Sequence, residues 1–179
     1  PFNHPMNQAA HKIAPAIATN TPVLLKPSEK TPLSAYWLAQ AAIDAGLPAD
    51  ALNVVNGPTP EIPELLVTHD LIDMVTFTGS SQIGHHIANR AGYKRLVLEL
   101  GGSSPLLVLD DADVDEAVDI AVAGIFKNSG QRCTAIRRLL VHRSLADAFA
   151  SRLVDRTKAL TCGDPYDQTT DMGTVIDVE

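Results

Sequence analysis

The stretch Met74-Val75-Thr76-Phe77-Thr78-Gly79-Ser80-Ser81-Gln82-Ile83-Gly84 decides the fold, because it joins a strand to a helix through a turn bounded by two glycines. Its first four residues have the apolar, β-branched and aromatic character of a strand. The helix that follows is expected to run to about residue 91. The same alternation of strand and helix recurs along the chain and predicts an α/β protein with a parallel sheet.

The other elements are predicted from apolar runs and helical periodicity. Strands are expected at 23–25, 52–55, 74–77, 96–98, 106–109 and 139–141, and helices at 33–45, 61–68, 114–125 and 145–158, with Asn56-Gly57-Pro58 ending the second strand. The opening PFNHP is expected to be a loop bracketed by prolines. The helix over 33–45 is expected to bury a face formed by Leu33, Trp37, Leu38 and Ala41. The most regular helix carries an apolar stripe at 114, 117, 118, 121, 122 and 125, and Asp113 is its expected N-cap.

Composition narrows the class of protein. The chain has 179 residues, 45% of them hydrophobic and 20% charged, which is typical of a globular protein. Its net charge of −7 argues against a nucleic-acid partner, and no apolar run reaches the length of a membrane span. Two cysteines do not form a disulfide scaffold, so we expect a reduced, cytoplasmic protein. The chain begins at Pro1, and we expect an internal segment of a longer polypeptide.

Three acidic residues, Asp111, Asp113 and Asp115, alternate as in a calcium loop. The sixth and twelfth positions of that loop would be Glu116 and Val122, where glycine and glutamate are required. No metal site is therefore predicted.

The Gly79 to Gly84 turn is open to two interpretations. Backbone amides at the start of a helix attract anions, so a phosphate group would fit there. A phosphate-binding NTPase loop is excluded, because His85 stands where that loop needs lysine, and the three-glycine dinucleotide fingerprint is absent. A plain strand-to-helix turn remains the alternative.

Charged residues end two other predicted strands. Lys26 and Glu29 follow the first strand, at the edge where parallel sheets bind ligands, although a solvated turn is the alternative. Glu99 stands between Leu98 and Leu100, where a buried carboxylate would suit a general base. The alternative for Glu99 is a side chain that points to solvent.

Cys133 follows Arg132 in the small polar loop NSGQRCTA. A neighbouring cation favours the thiolate form of cysteine, whereas the alternative is a small buried residue. A reactive thiol also needs an oxyanion site, for which the side-chain amide of Asn3 is a candidate donor.

Five motifs occur in one order along the chain: PFNHP, KPSE, FTGSxxxG, ELGG and GQRCTA. Together they resemble the NAD(P)-dependent aldehyde dehydrogenase superfamily over the whole chain. The resemblance implies a variant Rossmann sheet over 1–101, the second part of a cofactor domain, followed by the start of an α/β catalytic domain over 102–179. It also implies a homo-oligomeric full-length enzyme.

The resemblance assigns roles to residues at the matching positions. Cys133 would be the nucleophile, Asn3 an oxyanion donor and Glu99 the base that activates water. The cofactor residues would be Lys26, Ser28, Glu29, Gly57, Gly79, Ser80, Gly84, Leu100 and Gly101. Glu29 would accept a hydrogen bond from a ribose hydroxyl and repel a 2′-phosphate, which favours NAD over NADP.

The residues around Cys133 also indicate a substrate. GQRCTA resembles family members that act on anionic aldehydes, so Arg132, with His4, is expected to bind the anion of an aldehyde such as phosphonoacetaldehyde. Glyceraldehyde 3-phosphate, lactaldehyde and succinate semialdehyde are alternative substrate types. The non-enzymatic alternative is an inactive relic of such an enzyme, with a binding or structural role.

Overall fold

The computed structural model describes residues 1–57 and 59–177. Pro58, predicted at the end of the second strand, lies outside the described residues, as do the last two residues of the predicted catalytic segment. The chain divides into two compact units, Pro1–Leu100 and Gly101–Glu179. The predicted parallel α/β architecture is confirmed in both units.

The first unit alternates helices and strands. Its elements are α1 (Pro5–Ala18), β1 (Val23–Leu25), α2 (Leu33–Asp44), β2 (Leu52–Val54), α3 (Glu61–Thr68), β3 (Met74–Gly79), α4 (Ser81–Arg90) and β4 (Arg95–Leu100). Strand β1 pairs in parallel with β2, and β3 pairs in parallel with β4. The second pairing sets Thr78 beside Glu99 and Gly79 beside Leu100.

The second unit contains β5 (Ser104–Val108), α5 (Val114–Phe126), a 3₁₀ turn (Lys127–Gly130), β6 (Ile136–Val141) and α6 (Ala146–Lys158). Strands β5 and β6 pair in parallel, with a register shift between Ser104 and Pro105. Both strands begin two or three residues earlier than the apolar runs predict, because Ser104 and Pro105 before the first run pair with Ile136 and Arg138 before the second.

The predicted stripe of α5 is confirmed. Ala117, Val118 and Ala121 are buried with Val108 and Phe149, and the remaining stripe residues pack against that cluster. Asp113 caps the helix as predicted: its Oδ1 accepts hydrogen bonds from the backbone amides of Asp115 and Glu116, at 2.9 and 3.0 Å.

In the first unit one helix was not predicted and one buried face was predicted wrongly. Residues 1–4 of the predicted PFNHP loop lie outside any helix, but Pro5 begins the helix α1, which buries Ala9 and Ile13. Proline is compatible with the first turn of a helix, because the amide that it lacks has no intrahelical partner there. In α2 the buried residues are Ala35 and Ala39, whereas Leu33 and Trp37 are exposed.

No helix within residues 1–57 and 59–177 combines the length and apolarity that crossing a membrane requires.

Candidate active site

The predicted base lies at the carboxyl end of β4, in the first unit. Glu99 is exposed and alternates with half-buried Leu98 and Leu100, so the burial considered for this carboxylate is not observed. The alternation follows from the pleat of a strand, which turns successive side chains to opposite faces.

Lys12 of α1 reaches the same end of the sheet. Its Nζ donates a hydrogen bond of 2.6 Å to Thr78 Oγ1, and Thr78 is the register partner of Glu99. Burial lowers the pKa of Lys12, and the charge of Glu99 raises it in part. Sequence reasoning missed Lys12, because the helix that carries it was not predicted.

Asn3 and His4 lie immediately before α1. Both side chains are half-buried, and His4 is the N-cap residue without making a side-chain capping hydrogen bond. The start of the helix fixes the backbone here, since the amide of Gln8 donates to the carbonyl of His4 at 2.9 Å.

The turn after β1 brings the predicted cofactor residues Lys26 and Glu29 into contact. Lys26 Nζ lies 3.3 Å from Glu29 Oε1, and the hydroxyl of Thr59 donates to the same oxygen. These hydrogen bonds, that of Thr59 above all, lower the pKa of Glu29. Glu29 is thus held as an oriented carboxylate at the sheet edge. Ser28 lies between the two. Thr59 was missed, because it is thirty positions from Glu29 and no local pattern connects them.

The Gly79 to Gly84 turn is fixed by its own capping and packing. Ser80 is the N-cap of α4, and its Oγ accepts from the amide of Ile83 at 3.3 Å. A Cβ on Gly84 would lie 2.5 Å from Leu100 Cδ2, and one on Gly79 would collide with the ring of Phe77. Gly84 therefore lets α4 approach β4 closely. The start of α4 still presents the positive end of its dipole, so an anion would fit there.

Gly57 and Gly101 complete the predicted cofactor set. A Cβ on Gly57 would lie 2.8 Å from Ile62 Cγ1, so packing against α3 requires glycine. Gly101 directly follows β4 and begins the second unit.

Cys133 lies in the second unit, on the loop between the 3₁₀ turn and β6. Its side chain is exposed. The preceding residues Asn128, Ser129 and Gly130 all have positive φ, of 57°, 54° and 71°. Left-handed backbone is unfavourable for residues other than glycine, so this loop persists only where surrounding contacts hold it.

Arg132 supplies one of those contacts. Its Nη2 donates to the carbonyls of Ala123 and Gly124, at 3.2 and 2.8 Å, near the end of α5. Its Nε is buried and has no hydrogen-bond partner within residues 1–57 and 59–177. Arg137 adds a bond of 3.1 Å from its Nη2 to the carbonyl of Gly130.

Within the described residues, no cluster of three or more His, Cys, Asp or Glu side chains is arranged to hold a metal ion.

A sequence model described as the aldehyde dehydrogenase family matches residues 1–179. The 3-sulfolactaldehyde dehydrogenase of Priestia megaterium is 40% identical over 176 residues, which cover 98% of this chain and 37% of that protein. A solved glyceraldehyde-3-phosphate dehydrogenase, GapN from Methanocaldococcus jannaschii complexed with NADP, has a TM-score of 0.93 at 40% identity, covering 98% of this chain and 40% of that one.

A betaine aldehyde dehydrogenase from Staphylococcus aureus in complex with NAD⁺ superposes with a TM-score of 0.94 at 39% identity, covering 98% of this chain and 35% of that one. The chain spans about two fifths of the length of the curated relatives that it matches.

Proposed function

The chain belongs to the aldehyde dehydrogenase family, and from that premise we propose that the protein oxidises an aldehyde to a carboxylic acid with NAD(P)⁺, with Cys133 as its nucleophile. The observation that carries the proposal is the exposed Cys133 thiol at the end of a strained loop, held by Arg132. A family match over the whole chain supports it, and the motif resemblance assigns Asn3 and Glu99 the partner roles.

The chemistry follows from the residues in their proposed roles. The Cys133 thiolate adds to the aldehyde carbon, and the carbonyl oxygen becomes an oxyanion that the Asn3 amide and the Cys133 backbone N–H stabilise. A bound nicotinamide supplies the acceptor for the hydride that leaves this carbon, so that a thioester remains on Cys133. Glu99 then takes a proton from water as that water attacks the thioester, which releases the acid and restores the thiol.

Exposure of Glu99 suits this role. A side chain that faces solvent is reached by the water molecule that a base must activate. The presence of this base favours hydrolysis to the free acid over transfer of the acyl group to coenzyme A.

The first unit supplies the proposed cofactor residues other than Gly101, which begins the second unit. The oriented carboxylate of Glu29 fits a ribose hydroxyl, and Lys26 beside it tempers the repulsion of a 2′-phosphate. The amino end of α4 behind Ser80 fits the pyrophosphate, and Ser28, Gly57, Gly79, Gly84, Leu100 and Gly101 would line the same region. We expect NAD to be preferred, and the ratio of kcat/KM with NAD to that with NADP tests it.

We further propose an anionic aldehyde, of which phosphonoacetaldehyde is the type, as the substrate. Arg132 directly precedes Cys133, and a guanidinium is the side-chain group that pairs best with the oxygens of a phosphonate. His4 is the second candidate contact. The Priestia relative and the solved Methanocaldococcus structure are named for anionic substrates. Another Methanocaldococcus relative is named for lactaldehyde, which is uncharged, and betaine aldehyde is a cation.

The activity is tested on the full-length protein with a panel of charged and uncharged aldehydes, by following the absorbance of the reduced nicotinamide. Cys133→Ala should abolish turnover, whereas Cys162→Ala, a change at the other exposed cysteine, should leave it intact. Turnover by Cys133→Ala, or no turnover of any aldehyde by the wild type, would show that the proposal is wrong.

The substrate class is tested separately with Arg132→Met. Since Arg132 also anchors the loop, kcat/KM should fall for every aldehyde. The fall should be at least about tenfold larger for phosphonoacetaldehyde than for propanal, because a charged hydrogen bond is lost only with the former. An unchanged ratio would contradict the role in anion binding. A homo-oligomeric state and a cytoplasmic location of the full-length protein remain proposals, which sedimentation and cell fractionation test.

A further inference from the structure

The side chain of Gln131, two residues before Cys133, joins the cysteine loop to a distant segment of the second unit. Its Oε1 accepts from the backbone amide of Ile176 at 2.8 Å, and its Nε2 donates to the carbonyl of Thr174 at 3.3 Å. One primary amide thus pairs with a backbone N–H and a backbone C=O of the same segment, as a neighbouring strand would.

We propose that Gln131 is a positioning residue, which sets the position of the Cys133 thiol by fixing the loop to residues 173–176. The inference rests on the proposed function, since it assigns Gln131 a role in the reaction of Cys133. The contact joins two segments more than forty residues apart in sequence, the cysteine loop and residues 174–176.

The loop needs such a contact because its backbone is unfavourable. Asn128 and Ser129 both adopt left-handed backbone, which these residues keep only where the surrounding structure imposes it. Gln131 stabilises this conformation from within as well, because its Nε2 lies 3.3 Å from the carbonyl of Asn128. Ser129 adds a second bond to the distant segment, from its Oγ to the carbonyl of Gly173 at 3.2 Å.

The loop is therefore held on two sides. Arg132 fixes it to the end of α5, and Gln131 with Ser129 fixes it to residues 173–176. Cys133 itself is exposed, so the packing of its own side chain does not determine where its sulfur lies. The neighbouring anchors do so, and a shift of about 1 Å in a reacting group is enough to slow a reaction by roughly a hundredfold.

The test uses the full-length protein with two variants. Gln131→Met removes all three side-chain bonds, and Gln131→Glu keeps the acceptor for Ile176 but loses the donor to Thr174 and Asn128. Gln40→Met is the matched control, because Gln40 is an exposed glutamine of α2 that bonds Asp44 at 2.8 Å. Amide hydrogen exchange at Ile176 measures the contact. The values of kcat and KM with propanal and NAD⁺, normalised to active sites by the first-turnover burst, measure the positioning.

Gln131→Met should speed exchange at Ile176 and lower kcat by about ten- to a hundredfold, while KM stays within about twofold. Gln131→Glu should keep Ile176 protected and give an intermediate kcat, and Gln40→Met should match the wild type. A loss only in the number of active sites, or a rise in KM alone, would show a merely structural role and overturn the inference. A wild-type kcat in Gln131→Met, together with fast amide exchange at Ile176, would also overturn the inference.

Two further outcomes keep the inference separate from the proposed function. If Gln131→Met does not fold, wild-type kcat in Gln131→Glu overturns the inference. If Cys133→Ala measured in parallel retains turnover, the proposed function fails and the inference fails with it. An inactive Cys133→Ala beside a fully active Gln131→Met overturns the role of Gln131 alone.

Discussion

Replacement of Gly84 by alanine tests the close packing of α4 on β4. A Cβ there would lie 2.5 and 2.6 Å from the two methyl carbons of Leu100 and 3.1 Å from its Cγ. Rotation of the methyl groups alone does not relieve the contact with Cγ, so the whole side chain must move. Overpacking of this kind costs about 1–3 kcal/mol, whereas alanine gains about 1 kcal/mol over glycine inside a helix.

Because the two effects oppose each other, a double-mutant cycle separates them. Gly84→Ala should be neutral or destabilising in the wild type, but should stabilise a Leu100→Ala background by roughly 0.5–1 kcal/mol, since the colliding side chain is gone. The coupling energy should then equal the overpacking cost, about 1–3 kcal/mol. Asn89→Ala, at an exposed position of α4, controls for helix propensity and should behave alike in both backgrounds.

The assay is the thermal unfolding midpoint of the four proteins, in which 1 kcal/mol corresponds to about 2–4 °C for a domain of this size. The KM for NAD⁺ is measured on the same samples, since α4 begins at the proposed pyrophosphate site. If the effects of Gly84→Ala and Leu100→Ala are additive within about 0.5 kcal/mol, the packing explanation of Gly84 is wrong.

Three further changes give independent tests. Thr59→Val removes the main hydrogen bond that lowers the pKa of Glu29, so the rise in KM for NAD⁺ on acidification should begin at a higher pH than in the wild type; identical pH profiles would contradict this. Burial lowers the pKa of Lys12 below its ordinary 10.5, so the folded state holds this proton less tightly than the unfolded chain does. The wild type should therefore gain stability relative to Lys12→Met as the pH rises toward 10.5. A difference in unfolding midpoint that is the same at pH 8 and pH 10 would refute that coupling. Asp113→Ala removes the N-cap of α5 and should lower the free energy of unfolding by about 0.5–2 kcal/mol, measured by denaturant titration, whereas an unchanged value would mean that the cap contributes nothing.

The strands and most helices could be predicted because their apolar residues follow the period of each element. The stripe of α5 shows this most clearly, since the residues expected to be buried are the ones in the core. Helix α1 could not be predicted in the same way, because Pro5 and Pro15 suggest a loop although one begins the helix and the other lies inside it.

Burial was harder to predict than secondary structure. In α2 the large residues Leu33 and Trp37 indicated an apolar face, but the helix packs within its unit through small residues. Ala39 lies in a cluster with Ala9 and Ile13 of α1, where alanine allows the helices to approach. Periodicity shows that a helix has an apolar face, but it does not show which neighbour covers which residue.

The candidate site residues were predicted from motifs, whereas the residues that hold them were not. Thr59 bonds Glu29, and Thr174 bonds Gln131. Each pair is far apart in the chain, and a single sequence does not show such contacts. Arg132 illustrates the limit differently. Its position next to Cys133 in the sequence suggested that it contacts the substrate. In the structure the same guanidinium also donates hydrogen bonds to two backbone carbonyls of α5.

Mapping of the acyl group tests the central claim most directly. Full-length Glu99→Gln, mixed with propanal and NAD⁺ and quenched after one turnover, is digested and the masses of the Cys133 and Cys162 peptides are compared. We predict one equivalent of reduced nicotinamide and a propanoyl group on Cys133 alone. Reduction of nicotinamide by Cys133→Ala under the same conditions, or an acyl group on Cys162 and none on Cys133, would contradict the assignment of Cys133 as the nucleophile.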